Sequence, residues 1–260
     1  MTTCLRCSTP LPPGGAGCLV CGYGSGSPVT GPVDVLPADP PVAAPHLLAQ
    51  ALVVLLGLCA VCDLLGVLTG WHYLAGLGRL LADPALDVDT VTGAEARYGT
   101  VGQLQALTYV ATGVTWLVWQ YRTYGAVRDL GATGLLRHGQ GWSIGAWFVP
   151  FLNLVRPLRM VDDLWTGPDP ELPDRGPLTA GGGTRLVPAW WAALLGACLL
   201  SRIGAALPAE TLEQLRNGVR VWLAGDLVWL AADVLALLLV HRLSRRVRAQ
   251  ARVRGRLATV

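Results

Sequence analysis

The chain has 260 residues, 52% hydrophobic and 14% charged, against about 25% charged in an ordinary soluble domain. That composition excludes a soluble globular body. The net charge of +3 conceals a strong segregation of charge along the chain, and its basic residues are all arginine.

In chain order, residues 1–24 read first, as a zinc ribbon. Cys4-Leu-Arg-Cys7 and Cys18-Leu-Val-Cys21 are two CxxC knuckles, and four thiolates so placed suit a tetrahedral, structural Zn²⁺. A redox dithiol or an iron site is the alternative. The segment is too small for a core of its own, so metal binding supplies its folding energy. Arg6 and Tyr23 are its basic and aromatic residues, too few for a phosphate-tracking surface. Nucleic acid is therefore not expected as a partner; a small protein-docking or capping module is. Residues 25–45, rich in Gly and Pro, form a linker.

A membrane domain is expected over residues 46–245. Four stretches, at about 47–70, 102–121, 187–207 and 219–240, are apolar and close to the ~20 residues that cross a bilayer as a helix. No basic and apolar leader precedes the first stretch, so it is expected to act as its own insertion signal. Cys59 and Cys62 repeat the CxxC spacing inside that stretch, where they read as small packing side chains, as does Cys198. Residues 121–136 have the pattern of a short amphipathic helix on the inner leaflet. Residues 246–260 form a basic C-terminal tail that should meet an anionic inner leaflet.

Arginine placement sets the expected topology. Seven arginines lie between Arg122 and Arg185 and seven between Arg242 and Arg256, whereas the first loop holds Arg79 and Arg97 among acidic residues. Translocating arginine is unfavourable. Both termini and the long middle section are therefore expected in the cytoplasm of a multi-pass cell-membrane protein, with the spans forming two hairpins. Trp71, Trp116, Trp119, Trp190 and Trp191 fall near span ends, where interfacial aromatics belong.

A fifth apolar segment, residues 142–155 (WSIGAWFVPFLNLV), is short for a span and contains Pro150 and Asn153. Counting it would also place the arginine-rich C-terminus outside. It is expected to be re-entrant or interfacial. The expected fold is thus an all-α membrane protein of four spans with this segment and the small zinc ribbon.

The run WLVWQYRTYGAVRDLGATG followed by GWSIGAWFVPFLNLVRPLRMVDDLW resembles a bacterial membrane-protein family filed as domain of unknown function 4328. Trp116, Trp119, Arg122 and Gly131 carry the resemblance, then Trp142, Trp147, Pro150, Asn153, Leu154, Pro157 and the Asp163–Trp165 end. It extends over roughly residues 46–245. One departure is Ala126, where many relatives have asparagine. The resemblance implies a multi-span helical bundle, mostly of actinobacteria, and brings no activity or catalytic residue.

Asp63, Arg202, Asp226 and Asp233 lie within spans, where ionised side chains are expensive. Depth counting puts the first three within roughly one helical turn of a common level, so Arg202 is expected to pair with Asp226, Asp63 or both. Gln105, Thr108, Thr112 and Thr115 add a polar stripe at helical spacing. Together these are either structural or a pathway for a proton, ion or small solute. No HExxH, nucleophile elbow or phosphate loop occurs, so an enzyme is not expected. Asp162 and Asp163 read as a local ion pair with Arg159. The leading expectation is a scaffold or sensor that recruits a cytoplasmic protein partner through the zinc ribbon and the inner-leaflet segments. The alternative is a small transporter or channel, a homo-oligomer, that uses the buried charges.

Overall fold

The computed structural model describes residues 45–83, 85, 88–130, 136–167 and 184–257. The cysteines expected to form a zinc ribbon, Cys4, Cys7, Cys18 and Cys21, the expected linker and Gly131 lie outside them. The described residues are all helical or connecting, without strands. They form α1 (His46–Ala82), α2 (Asp89–Asp129), α3 (Trp142–Phe148), α4 (Arg156–Thr166), α5 (Leu186–Ala206) and α6 (Leu212–Leu257).

Among the described residues, three helices are long and apolar enough to cross a membrane: His46–Ala82, Leu186–Ala206 and Leu212–Arg252. The second expected span lies inside α2, which is 41 residues long but carries polar side chains through its middle. The amphipathic segment expected at 121–136 is not a separate helix. Its first half continues α2, which buries Tyr124, Val127 and Leu130. The apolar face drawn along the leaflet in the sequence reading is a packing face instead.

The helices pack α2–α1–α6–α5, with α3 and α4 joining α2 to α5. Neighbours run antiparallel. Along α1 and α2, Gly70 faces Tyr98 and Gly66 faces Gln105, while Cys59 meets Thr112. Along α5 and α6, Gly204 faces Trp222 and Gly196 faces Val228. Small residues at these crossings let helix axes approach, as lipid-embedded helices require when no hydrophobic driving force separates protein from solvent. At Gly66 a Cβ would fall 2.9 Å from Gln105 Nε2 and 3.1 Å from Asp226 Oδ2, so only glycine admits both side chains.

Residues 142–155 do not form one helix. The seven-residue α3 spans about 10 Å, far short of a bilayer. The chain then reverses at Pro150 and Phe151, whose φ is 64°, a left-handed conformation that L-residues rarely adopt. A 3₁₀ turn at Leu152–Leu154 leads into α4, with Pro157 in the first turn, where its missing N–H costs nothing. Phe148 and Phe151 are exposed around this reversal.

Two apolar clusters hold the ends of the bundle. The larger joins α1, α2, α4, α5 and α6 around Trp119, Tyr124, Met160, Leu164 and Leu243. The smaller packs Tyr73, Leu77, Val91 and Val219 at the opposite end. Polar side chains lie between them. Gly66→Ala is expected to lower stability in detergent thermal unfolding by about 1–3 kcal/mol, the usual cost of overpacking. Gly57→Ala, with nothing within 4 Å of the added carbon, should be neutral or slightly stabilising.

Candidate functional site: a buried carboxyl network

Two helices deliver three carboxyl groups to the middle of the bundle. Asp63 of α1 is fully buried, and Asp226 and Asp233 of α6 are 9% and 6% exposed. Spacing of seven residues puts the two α6 acids on one face, about 10 Å apart along the axis. α2 supplies the donors. Gln105 Nε2 donates to Asp63 Oδ1 at 3.0 Å and to Asp226 Oδ1 at 3.3 Å. The Tyr98 hydroxyl donates to Asp226 Oδ2 at 3.1 Å, and the Tyr109 hydroxyl donates to Asp63 Oδ1. Asp63 and Asp233 lie close enough to interact electrostatically. Carboxylates only accept, so a hydrogen bond between the two requires a shared proton. Oδ2 of Asp63 and Oδ2 of Asp233 have no hydrogen-bond partner among the described residues.

The expected arginine partner is not there. Arg202 is exposed, and no ion pair joins it to Asp63 or Asp226 among the described residues. α5 buries Ala197 and Gly204, and position 202 lies about 140° round the helix from Ala197. Depth was read correctly and azimuth was not. Tyr98, Gln105 and Tyr109 take the place of the arginine. Their spacing on α2, seven and then four residues, is the helical signal that could have found them. The polar stripe of α2 is also divided. Gln105 reaches the acids and Thr112 Oγ1 lies 3.2 Å from Cys59 Sγ, whereas Thr108 and Thr115 donate to carbonyls of their own helix. Cys59 is buried and Cys62 partly so, both as free thiols.

Beside Asp233 is a cavity of about 400 Å³. Aromatic rings form much of its wall: Tyr109 and Trp116 of α2, Trp147 of α3, Trp190 of α5 and Trp229 of α6. Tyr109 and Trp229 hold each other at 4.6 Å between ring centres. Among the described residues, Asp233 is its one acidic lining residue and no arginine or histidine lines it.

The tryptophans expected at the membrane interface have another role, except Trp71, which is exposed. Trp116, Trp119, Trp190 and Trp191 are buried. Trp116 stacks on Trp190 at 5.0 Å, and Trp147 meets Trp191 edge-on at 5.7 Å. One acceptor serves two indoles: Gln120 Oε1 receives Trp116 Nε1 at 3.0 Å and Trp147 Nε1 at 3.1 Å. Trp191 Nε1 donates to the Leu154 carbonyl at 2.9 Å. The 142–155 segment is therefore bonded to α2 and α5 by indole N–H groups. Of the other motif residues, the Arg156 guanidinium lies 3.9 Å over the Trp142 ring. Pro157 is buried, Asn153 partly so, and Arg122 and Pro150 are exposed.

The acidic pair of α4 does not use Arg159. Arg137 Nη2 pairs with Asp162 at 3.3 Å and Arg137 Nε with the fully buried Asp163 at 3.2 Å. The Arg137 backbone N–H also donates to Asp163 Oδ2 at 3.2 Å, and the Tyr124 hydroxyl lies 3.4 Å from it. His138 Nδ1 is 3.6 Å away. These contacts pin the strand of chain before α3 to α4. At the other side of α4, Arg246 of the basic helix end donates to the Trp165 carbonyl at 2.9 Å. Among the described residues no group of three His, Cys, Asp or Glu side chains could hold a metal ion.

Burial lifts the Asp163 carboxyl above its ordinary value, with Arg137 pulling the other way. The folded chain then binds this proton where the unfolded chain has lost it, so stability falls as pH rises through that window. Wild type is expected to lose stability relative to Asp163→Asn as pH climbs from the ordinary carboxyl value, in melts of the two proteins side by side. Asp163→Ala, which strands the donors, should cost about 1–3 kcal/mol.

The family model described as "Domain of unknown function (DUF4328)" matches residues 82–245. The match takes in Asp226, Asp233, the tryptophan cluster and α4, and stops short of Asp63. No curated protein and no solved structure matches the chain.

Proposed function

The chain belongs to the DUF4328 family, and we propose that it is a small multi-pass transporter whose carboxyl network binds and releases a proton. α2 is the fourth span, and both termini are cytoplasmic, as the arginine segregation requires. The reading is non-enzymatic. The observation that carries it is the burial of Asp63, Asp226 and Asp233 together beside a cavity, with hydrogen-bond donors but, among the described residues, no ion-pair partner. Ionisable groups inside a bilayer are costly and mark proton or solute pathways. From Tyr98 to Thr112 the polar groups extend over about 21 Å of α2, a large share of a ~30 Å hydrocarbon layer.

The test uses the full chain in nanodiscs and infrared difference spectroscopy of the protonated-carboxyl band. One shared proton is expected, its band shifted or lost in Asp63→Asn and in Asp233→Asn and kept in Arg202→Ala. In proteoliposomes, dissipation of a pH gradient should fall to the level of empty liposomes in the two Asn variants. A band insensitive to both substitutions would remove the reading.

A second reading is favoured by the paired CxxC spacing of the N-terminus. In it, a structural zinc on Cys4, Cys7, Cys18 and Cys21 builds a module that recruits a cytoplasmic protein partner, and the membrane domain is its scaffold beside anionic lipid. Purified protein is expected to carry one zinc per chain by elemental analysis, lost in Cys18→Ser. Deleting Met1–Pro45 should abolish recruitment and leave the carboxyl band intact.

A further inference from the structure

We propose that the cavity beside Asp233 binds a lipophilic organic cation, which enters as the proton shared by Asp63 and Asp233 leaves. The proposal rests on the proton reading above for the exchange step, while the ligand class rests on the cavity walls alone.

Three features select the ligand. The volume, about 400 Å³, is in the range of small-molecule pockets, roughly 300–1,000 Å³. The rings of Tyr109, Trp116, Trp147, Trp190 and Trp229 at its wall present the electron-rich surfaces that attract positive charge, most strongly when water is excluded. Asp233 is its single acidic residue among the described ones, nine-tenths buried, with Oδ2 lacking a hydrogen-bond partner. An anion would meet that acid and the ring faces unfavourably. A neutral apolar molecule would fill the volume without using Asp233. A small inorganic cation would need about six oxygen ligands to replace its water, and the wall supplies few: Tyr109, Thr112 and Asp233. An organic cation with spread charge needs no such shell.

Charge balance gives the exchange. With the proton between them, Asp63 and Asp233 carry one negative charge. When that proton passes to water the pair carries two, and one bound monovalent cation restores the former total. No electrons move and no covalent bond other than O–H changes. The groups facing Asp233 are Asp63 and Cys59 of α1 and Tyr109 of α2, with Asp226 two turns away on α6. Cys198 and Arg202 of α5 are exposed. Among the described residues no positive side chain lines the site. Phe148, on the short α3, lines the cavity and is 70% exposed, so the cavity opens beside an exposed apolar side chain.

The probe is tetraphenylphosphonium, bound to the full chain in nanodiscs and followed by equilibrium dialysis and by tryptophan fluorescence. Saturable binding, quenching and release of about one proton per cation are expected. Tetraphenylborate, of the same shape and opposite charge, should bind at least about tenfold more weakly, and Asp233→Asn should lose a similar factor for the cation. Equal binding of the two ions by wild type, or full cation affinity in Asp233→Asn, overturns the proposal, and the first comparison needs no variant to fold. Cation binding without proton release would retain the ligand class and remove the exchange. A normal shared-proton band with no charge-selective binding would remove the ligand and leave the proton reading standing.

Discussion

Gln105 ties the middle of the bundle together. Its amide nitrogen has two hydrogens, and they go to carboxylates on two different helices, Asp63 of α1 and Asp226 of α6. A carboxylate taken out of water without partners costs several kcal/mol; bonds to charged acceptors return about 1.5–3 kcal/mol each. The acids can be buried only if α2 lies where Gln105 reaches both. That placement demands Gly66, since any side chain there would occupy the amide's position. Helix order, the α1–α2 register and the glycine all follow from satisfying two acids with one amide.

Much of the architecture was legible in the sequence. Helix-length apolar runs mark α1, α5 and α6, and Pro150 foretells that 142–155 cannot be one long helix. Asp63, Asp226 and Asp233 were legible as buried charges because charge inside an apolar run is rare. What the sequence left hidden is azimuth. Linear depth placed Arg202 level with the acids, but depth does not say which side of α5 faces α6. The tryptophans mislead for a related reason. Indoles near span ends fit both an interface and a core, and only Gln120 accepting from Trp116 and Trp147 decides between them. The Asp163–Arg137 contact was hidden because it crosses 26 residues, whereas Arg159 was the nearer neighbour in the chain.

The tryptophan cluster and the carboxyl network are complementary parts of one arrangement. α2 and α5 flank the α1–α6 pair and meet through Trp116 and Trp190. Bulky rings at that end hold the two helices apart, and α3 enters between them through Trp147. Below the rings the flanking helices stay separated, and the space left is the cavity. α4 then holds α3 in place, since Arg137, Asp163, Trp165 and Arg246 clamp it to the preceding chain and to α6. The family motif is thereby a structural frame whose consequence is an aromatic chamber with one acid at its wall.

α2 falls outside the three helices that composition alone marks as membrane-crossing, and the network explains why. Tyr98, Gln105, Tyr109 and Thr112 each satisfy a polar group on a neighbouring helix, and each lowers the apolar character of α2. Replacing them with leucine would sharpen the span signal and strand the carboxyls of α1 and α6. A helix this polar is accommodated by packing: its polar face is turned to α1 and α6, and its apolar residues Leu104, Leu107, Val110 and Val114 face outward, exposed. That division, polar inward and apolar outward, inverts the pattern of a soluble bundle. It is the division that the proposed span through α2 needs, with its polar face paired inside the protein.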